Sequence, residues 1–149
     1  MRVVPLLIAA ALLGGCADTD VDAANRYVAA VNEAQSDFAD ESDRLRAQLD
    51  ASAPSAEGLS ALSEFAAAVD GLIVRLDDID PPPEVRPLHG QLVTAMTRFG
   101  DGLRRAGHEL ASDNAGAILD GQQRLAVATA RVTRRFNAAI GEINTVLAG

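Results

Sequence analysis

From residue 21 onward the chain repeats one pattern, a small or apolar residue every three or four positions with charges between. Val21, Ala24, Val28, Val31, Gln35, Phe38, Ser42, Leu45 and Leu49 share one side of a helix, while Asp22, Arg26, Glu33, Asp40 and Asp43 fall on the other. Asp20 is the expected N-cap of this first helix. The stretch DASAPSAEG interrupts the pattern, with Pro54 its breaker or the first residue of the next helix. A second helix follows on Leu59, Leu62, Ala66, Val69, Ile73 and Leu76, its stripe widened by Phe65 and Leu72.

That helix must end before DIDPPPEVRP. Consecutive prolines lack the N–H a helix needs and restrict the residue before each of them. A third helix starts near Glu84 or later and carries Val85, Leu88, Leu92, Ala95, Met96, Phe99, Leu103 and Ala106. Gly100, Gly102 and Gly107 each weaken it by about 1 kcal/mol relative to alanine. Arg104, Arg105 and Gly107 resemble a helix end, so the pattern is compatible with a stop at Gly107 or a continuation to Leu110. ASDN is a turn, with Asp113 the expected N-cap of a last helix on Ile118, Leu125, Thr129, Val132, Phe136, Ala139, Ile143 and Val146.

No segment alternates as a strand does. Four amphipathic helices with short connections predict an all-α fold, an antiparallel up-down-up-down four-helix bundle. Folding back at each loop brings Phe38, Phe65 and Phe99 to one level, with Phe136 nearer the proline end. The proline loop and the C-terminus then share one end of the bundle. The DASAPS loop and the third connection share the other, about 40 Å away.

The chain opens differently. After Met1 and Arg2, residues 3–15 are uncharged and apolar, too short at about 1.5 Å per residue to span a bilayer core but suited to the hydrophobic part of a secretory signal. Leu13-Gly14-Gly15-Cys16 at its end resembles the lipobox of bacterial lipoproteins, in which the cysteine is acylated and becomes the mature N-terminus. Two or three acyl chains on one residue anchor a protein stably, at about 0.8 kcal/mol per buried methylene. The competing reading is an ordinary signal cleaved after Ala17. Cys16 is the single cysteine of the 149 residues, so no disulfide framework competes for it. The expected organisation is a signal peptide over 1–15, a lipidated tether over 16–19 and a helical bundle over 20–149.

The formal net charge is −8, and loss of Arg2 with the leader makes it more negative. That balance argues against nucleic acid and against a polybasic hold on anionic lipid. There is no lysine and much alanine, the codon usage of a GC-rich genome.

Candidate chemistry is sparse. His89 and His108 lie nineteen residues apart on the third helix, about 100° apart around it, and cannot share a metal there. His89 borders the apolar stripe, either as a hydrogen-bonded structural histidine or as a ligand or pH-sensing group. No Glu-x-x-His pair, haem-attachment motif, nucleophile elbow or phosphate-cradling glycine loop occurs. Met96 lies on the face of His89 and reads as packing. Asp37, Asp40 and Glu41 read as a solvated face. Arg131, Arg134 and Arg135, with Arg124 a heptad before Arg131, form a basic strip on the fourth helix. It suits an acidic partner or, more simply, loose pairing with acids of the first helix.

The run IDPPPEVRPLHGQLVTAM, with Pro82 and Pro83 ahead of His89, and AAIGEINTVL near the end resemble a group of small uncharacterised actinobacterial lipoproteins. The third helix is richer in glycine than that group's pattern. The resemblance implies an envelope lipoprotein of helical fold and transfers no catalytic residues.

Together these readings predict an exported, non-enzymatic binding or scaffold module without a cofactor beyond its acyl anchor. It would sit on the outer face of the cytoplasmic membrane, or in the periplasm or outer membrane of a diderm, facing an envelope protein partner. The alternative is a ligand or metal sensor built around His89.

Overall fold

The structure, a computed structural model, describes residues 18–51 and 56–148. The leader, Cys16 and Pro54 lie outside the described residues, as do the side chains of Ser42, Leu45 and Leu49. Four helices form the framework: α1 (Asp18–Ala51), α2 (Ala56–Asp77), α3 (Arg86–Leu110) and α4 (Ala115–Ala148). There is no strand among the described residues, and the all-helical arrangement is consistent with a four-helix bundle. Successive helices pack on one another, α3 with α4 most extensively.

The boundaries refine the sequence reading. α1 opens at Asp18, so the helix begins ahead of Asp20. The proline segment turns where Val85 and Arg86 donate their N–H groups to the Pro82 carbonyl, both at 3.1 Å. α3 follows with Pro87 in its first turn, where a missing N–H costs nothing. It does not stop at Gly107 but runs on to Leu110. The α2 residue Leu62 packs over Gly107, within 3.5 Å of where a Cβ would stand, and this tertiary contact outweighs the glycine's poor propensity. The N-cap of α4 is Asn114, one residue past Asp113. Its Oδ1 accepts from the N–H groups of Gly116 at 2.8 Å and Ala117 at 3.3 Å.

Val31 of α1, Val69, Leu72 and Leu76 of α2, Leu92 and Leu103 of α3, Ile140 and Ile143 of α4, and Val85 ahead of α3 are fully buried. Phe38 and Phe65 stack at 6.0 Å, and Phe65 meets Phe99 edge-on at 5.9 Å, so the expected aromatic layer forms. Each such pair contributes about 0.5–1.5 kcal/mol beyond its buried area. Phe136, partly buried, packs against the core outside that stack. Burial along α4 is uneven. Ala139, Ile140 and Ile143 are buried, whereas its first half buries only Gly121 and leaves Leu119 and Val127 exposed.

No helix among the described residues is long and apolar enough to cross a membrane.

Candidate functional site: an arginine-lined groove between α3 and α4

His89 is buried, and both of its ring nitrogens are engaged. Nε2 lies 2.9 Å from the Leu76 carbonyl, which only accepts, so Nε2 carries the proton. Nδ1 is then the acceptor for the Tyr27 hydroxyl at 3.2 Å. The tyrosine ring meets the imidazole edge-on at 5.6 Å. Leu76 sits in the last turn of α2, where carbonyls lose their helical partners. Its oxygen takes the Ile79 backbone N–H at 3.1 Å as well as the His89 Nε2–H. A side chain in the first turn of α3 thus closes the end of α2 and ties both to α1. His89 is hydrogen-bonded and more deeply buried than its place at the stripe edge implied. His108 is exposed. No cluster of three or more histidine, cysteine or carboxylate side chains able to hold a metal occurs among the described residues.

The basic strip of α4 is placed differently from the sequence expectation. Arg124, Arg131 and Arg135 turn toward α3, where Arg98 and Arg105 join them along a groove of about 310 Å³. Arg134 is exposed outside it. None of the strip pairs with acids of α1 among the described ion pairs. Arg124 binds Glu109 of α3 instead, Nε lying 3.0 and 2.9 Å from the two carboxylate oxygens. That bond, with the attraction of the Glu109 charge, raises the Arg124 pKa above its ordinary value. Arg105 donates from Nε to the Asp101 backbone carbonyl at 3.2 Å. Arg98, Arg131 and Arg135 have no carboxylate partner among the described residues.

The groove exists because α3 and α4 approach closely. A Cβ on Gly102 would stand 3.0 Å from the Ala128 Cβ. One on Gly121 would stand 3.0 Å from Leu110 Cγ and 3.1 Å from the Ala106 carbonyl oxygen. Gly102, which weakens α3 by propensity, and Gly121 of α4 therefore let the two helices meet closely. Around the Gly102–Ala128 contact, Arg98 and Arg131 lie one helical turn to one side, Arg105 and Arg124 one turn to the other. Phe99, Val127 and Val132 add apolar surface between the charges.

The surrounding chain sharpens the contrast. Residues 1–85 hold sixteen of the twenty-one carboxylates and five of the thirteen arginines, leaving five carboxylates and eight arginines for residues 86–149. Arg104 shows how an arginine is held elsewhere on the surface. It lies 2.8 Å from both Asp70 oxygens and 2.8 Å from Asp101. These bonds, Asp70 first, raise its pKa. A second groove, of about 390 Å³ between α1 and α2, sets two carboxylates, Asp37 and Glu64, against one arginine, Arg75, so its charges largely offset. The carboxylate Glu64 is already tied to Arg44 at 3.7 Å.

The sequence pattern exposes one wall of the α3–α4 groove, the strip on α4, and hides the other. Arg98 and Arg105 are one heptad apart on α3, a signal without meaning until α4 is laid beside it. The chain matches no protein-family model, no curated protein and no solved structure.

Proposed function

We propose that this protein is a lipid-anchored binding module of the cell envelope that presents its α3–α4 face to an anionic ligand. The observation that carries the reading is the arginine-lined groove, where Arg98, Arg131 and Arg135 share one lining without carboxylate partners among the described residues, in a chain of net charge −8. Guanidinium groups gathered on one small surface repel one another unless an anion joins them, and their fork geometry suits oxyanions. The anchor rests on Leu13-Gly14-Gly15-Cys16 behind an apolar leader. With Cys16 acylated, the helices run up, down, up and down from the membrane. The Phe38–Phe65–Phe99 layer and the meeting of Tyr27 with His89 support that topology.

The module acts by binding and not by catalysis: the motifs for nucleophilic, metal and phosphate-transfer chemistry are missing from the sequence. Sensing through His89 is the weaker reading, because a metal would have to displace either the Tyr27 hydroxyl or the Leu76 carbonyl.

Two measurements test the proposal. Mass spectrometry of the mature N-terminus is expected to find acylated Cys16, and Cys16→Ala is expected to release the protein from membranes. An unmodified, freely secreted wild type overturns the anchor. A photo-crosslinking residue at Val127, in the groove, is expected to capture an anionic ligand in intact cells. The same residue at exposed Val74 on α2 is expected not to. Equal capture at both positions, or none at Val127, overturns the groove as the binding surface.

A further inference from the structure

We infer that the groove ligand is a soluble phosphorylated anion, its phosphate gripped by Arg98, Arg131 and Arg135 and its remainder lying along the seam toward Arg105. The inference rests on the anion-binding reading above and adds the ligand's chemistry. Arg131 and Arg135 are one turn apart on α4, and Arg98 faces them from α3 one turn from the Gly102–Ala128 contact. Three guanidiniums at one station need an acceptor with several oxygens and more than one charge. A carboxylate, with two oxygens and one charge, is satisfied by a single bidentate arginine, whereas a phosphate monoester or diphosphate accepts from several at once.

The other end of the groove is partly answered from within. Arg124 is held by Glu109, and Arg105 is tethered to the Asp101 carbonyl. The strongest demand for an anion is thus at the Arg98 end. Between the two stations, about 10 Å apart by helical rise, the wall is apolar at Phe99 and Val127, room for an uncharged portion of the ligand. A volume of about 310 Å³ suits a compact molecule and not a docked helix.

The source of the phosphate follows from position. Phe99 shares a layer with Phe38 through Phe65, and Phe38 lies twenty residues beyond the start of α1, about 30 Å of helix. In a bundle anchored through Cys16, the groove stands away from the headgroups of its own membrane. A soluble ligand reaches it and a headgroup of that bilayer does not.

The test is titration of the full-length lipoprotein in neutral detergent with inorganic tripolyphosphate, read by calorimetry and by thermal denaturation. Saturable binding is expected, with a rise in Tm and an affinity that falls with added salt. In Arg98→Gln/Arg131→Gln the affinity is expected to drop at least tenfold. In Arg134→Gln, which removes a charge outside the groove, it is expected to change less than twofold. Circular dichroism of each variant keeps a folding defect from passing as lost binding. No saturable binding, or equal losses in both variants, overturns the inference. Recruitment to phosphatidic acid vesicles through Arg98 and Arg131 without tripolyphosphate binding overturns the soluble source. Capture at Val127 of a ligand carrying only carboxylates overturns the phosphate assignment while sustaining the binding function proposed above.

Discussion

Tyr27 and His89 are sixty-two residues apart in the chain, and the tyrosine hydroxyl donates to the histidine Nδ1 across 3.2 Å of buried space. The contact fixes the tautomer of His89 and leaves its Nε2–H for the Leu76 carbonyl. One imidazole thereby links three helices.

Burial pushes the Tyr27 hydroxyl up to about 12 from an ordinary value of 10.0. The unfolded chain gives up this proton near pH 10, while the folded chain keeps it until near pH 12. Over that interval the unfolded state binds fewer protons, so stability falls as pH rises. The contribution is complete below about pH 10. Urea denaturation at about pH 8, 10 and 11 is expected to show the decline, and Tyr27→Phe is expected to flatten it. An unchanged slope in that variant would place the alkaline sensitivity elsewhere.

His89→Leu keeps the volume of the side chain and removes both hydrogen bonds. The Tyr27 hydroxyl is left buried without its acceptor, and the end of α2 loses its side-chain donor. The expected cost is about 1–3 kcal/mol in unfolding free energy. Zinc added to the wild type is expected to leave Tm where it was, since neither ring nitrogen is vacant. A zinc-dependent rise lost in His89→Leu would favour the sensor reading.

Two glycines separate propensity from packing. A methyl group placed on Gly90 would meet nothing within 4 Å, so Gly90→Ala is expected to stabilise by up to about 1 kcal/mol. At Gly121 the same methyl would crowd Leu110 and the backbone carbonyl of Ala106. Gly121→Ala is expected to destabilise by roughly 1–2 kcal/mol despite the better helix former, as α4 is pushed off α3. Thermal denaturation of the two variants side by side checks the contrast.

Gln35 occupies an apolar-stripe position of α1, and its buried Nε2 has no hydrogen-bond partner among the described residues. Gln35→Leu removes an unmet donor and adds apolar burial, and is expected to stabilise by about 1 kcal/mol. A fall in stability would mean that the amide is satisfied in solution.

The helices themselves were legible in the chain. Local periodicity and the three prolines after Asp80 determine four amphipathic segments, because a helix interior rejects consecutive prolines and a stripe of apolar residues must be covered. The shared level of Phe38, Phe65 and Phe99 followed from rise per residue alone. Only the tertiary structure decided the rest. The pattern left a stop at Gly107 and a continuation to Leu110 both open until Leu62 packed over the glycine, and Asn114 displaced Asp113 as cap through a one-residue difference in backbone phase. The rotation of α4 is the deciding case. A periodic pattern fixes which face of a helix is apolar but not which neighbour its flanks approach. The close contact at Gly102 and Ala128 brought two separate arginine rows together, and a charge pattern that read as solvated surface on one helix became the lining of a groove between two.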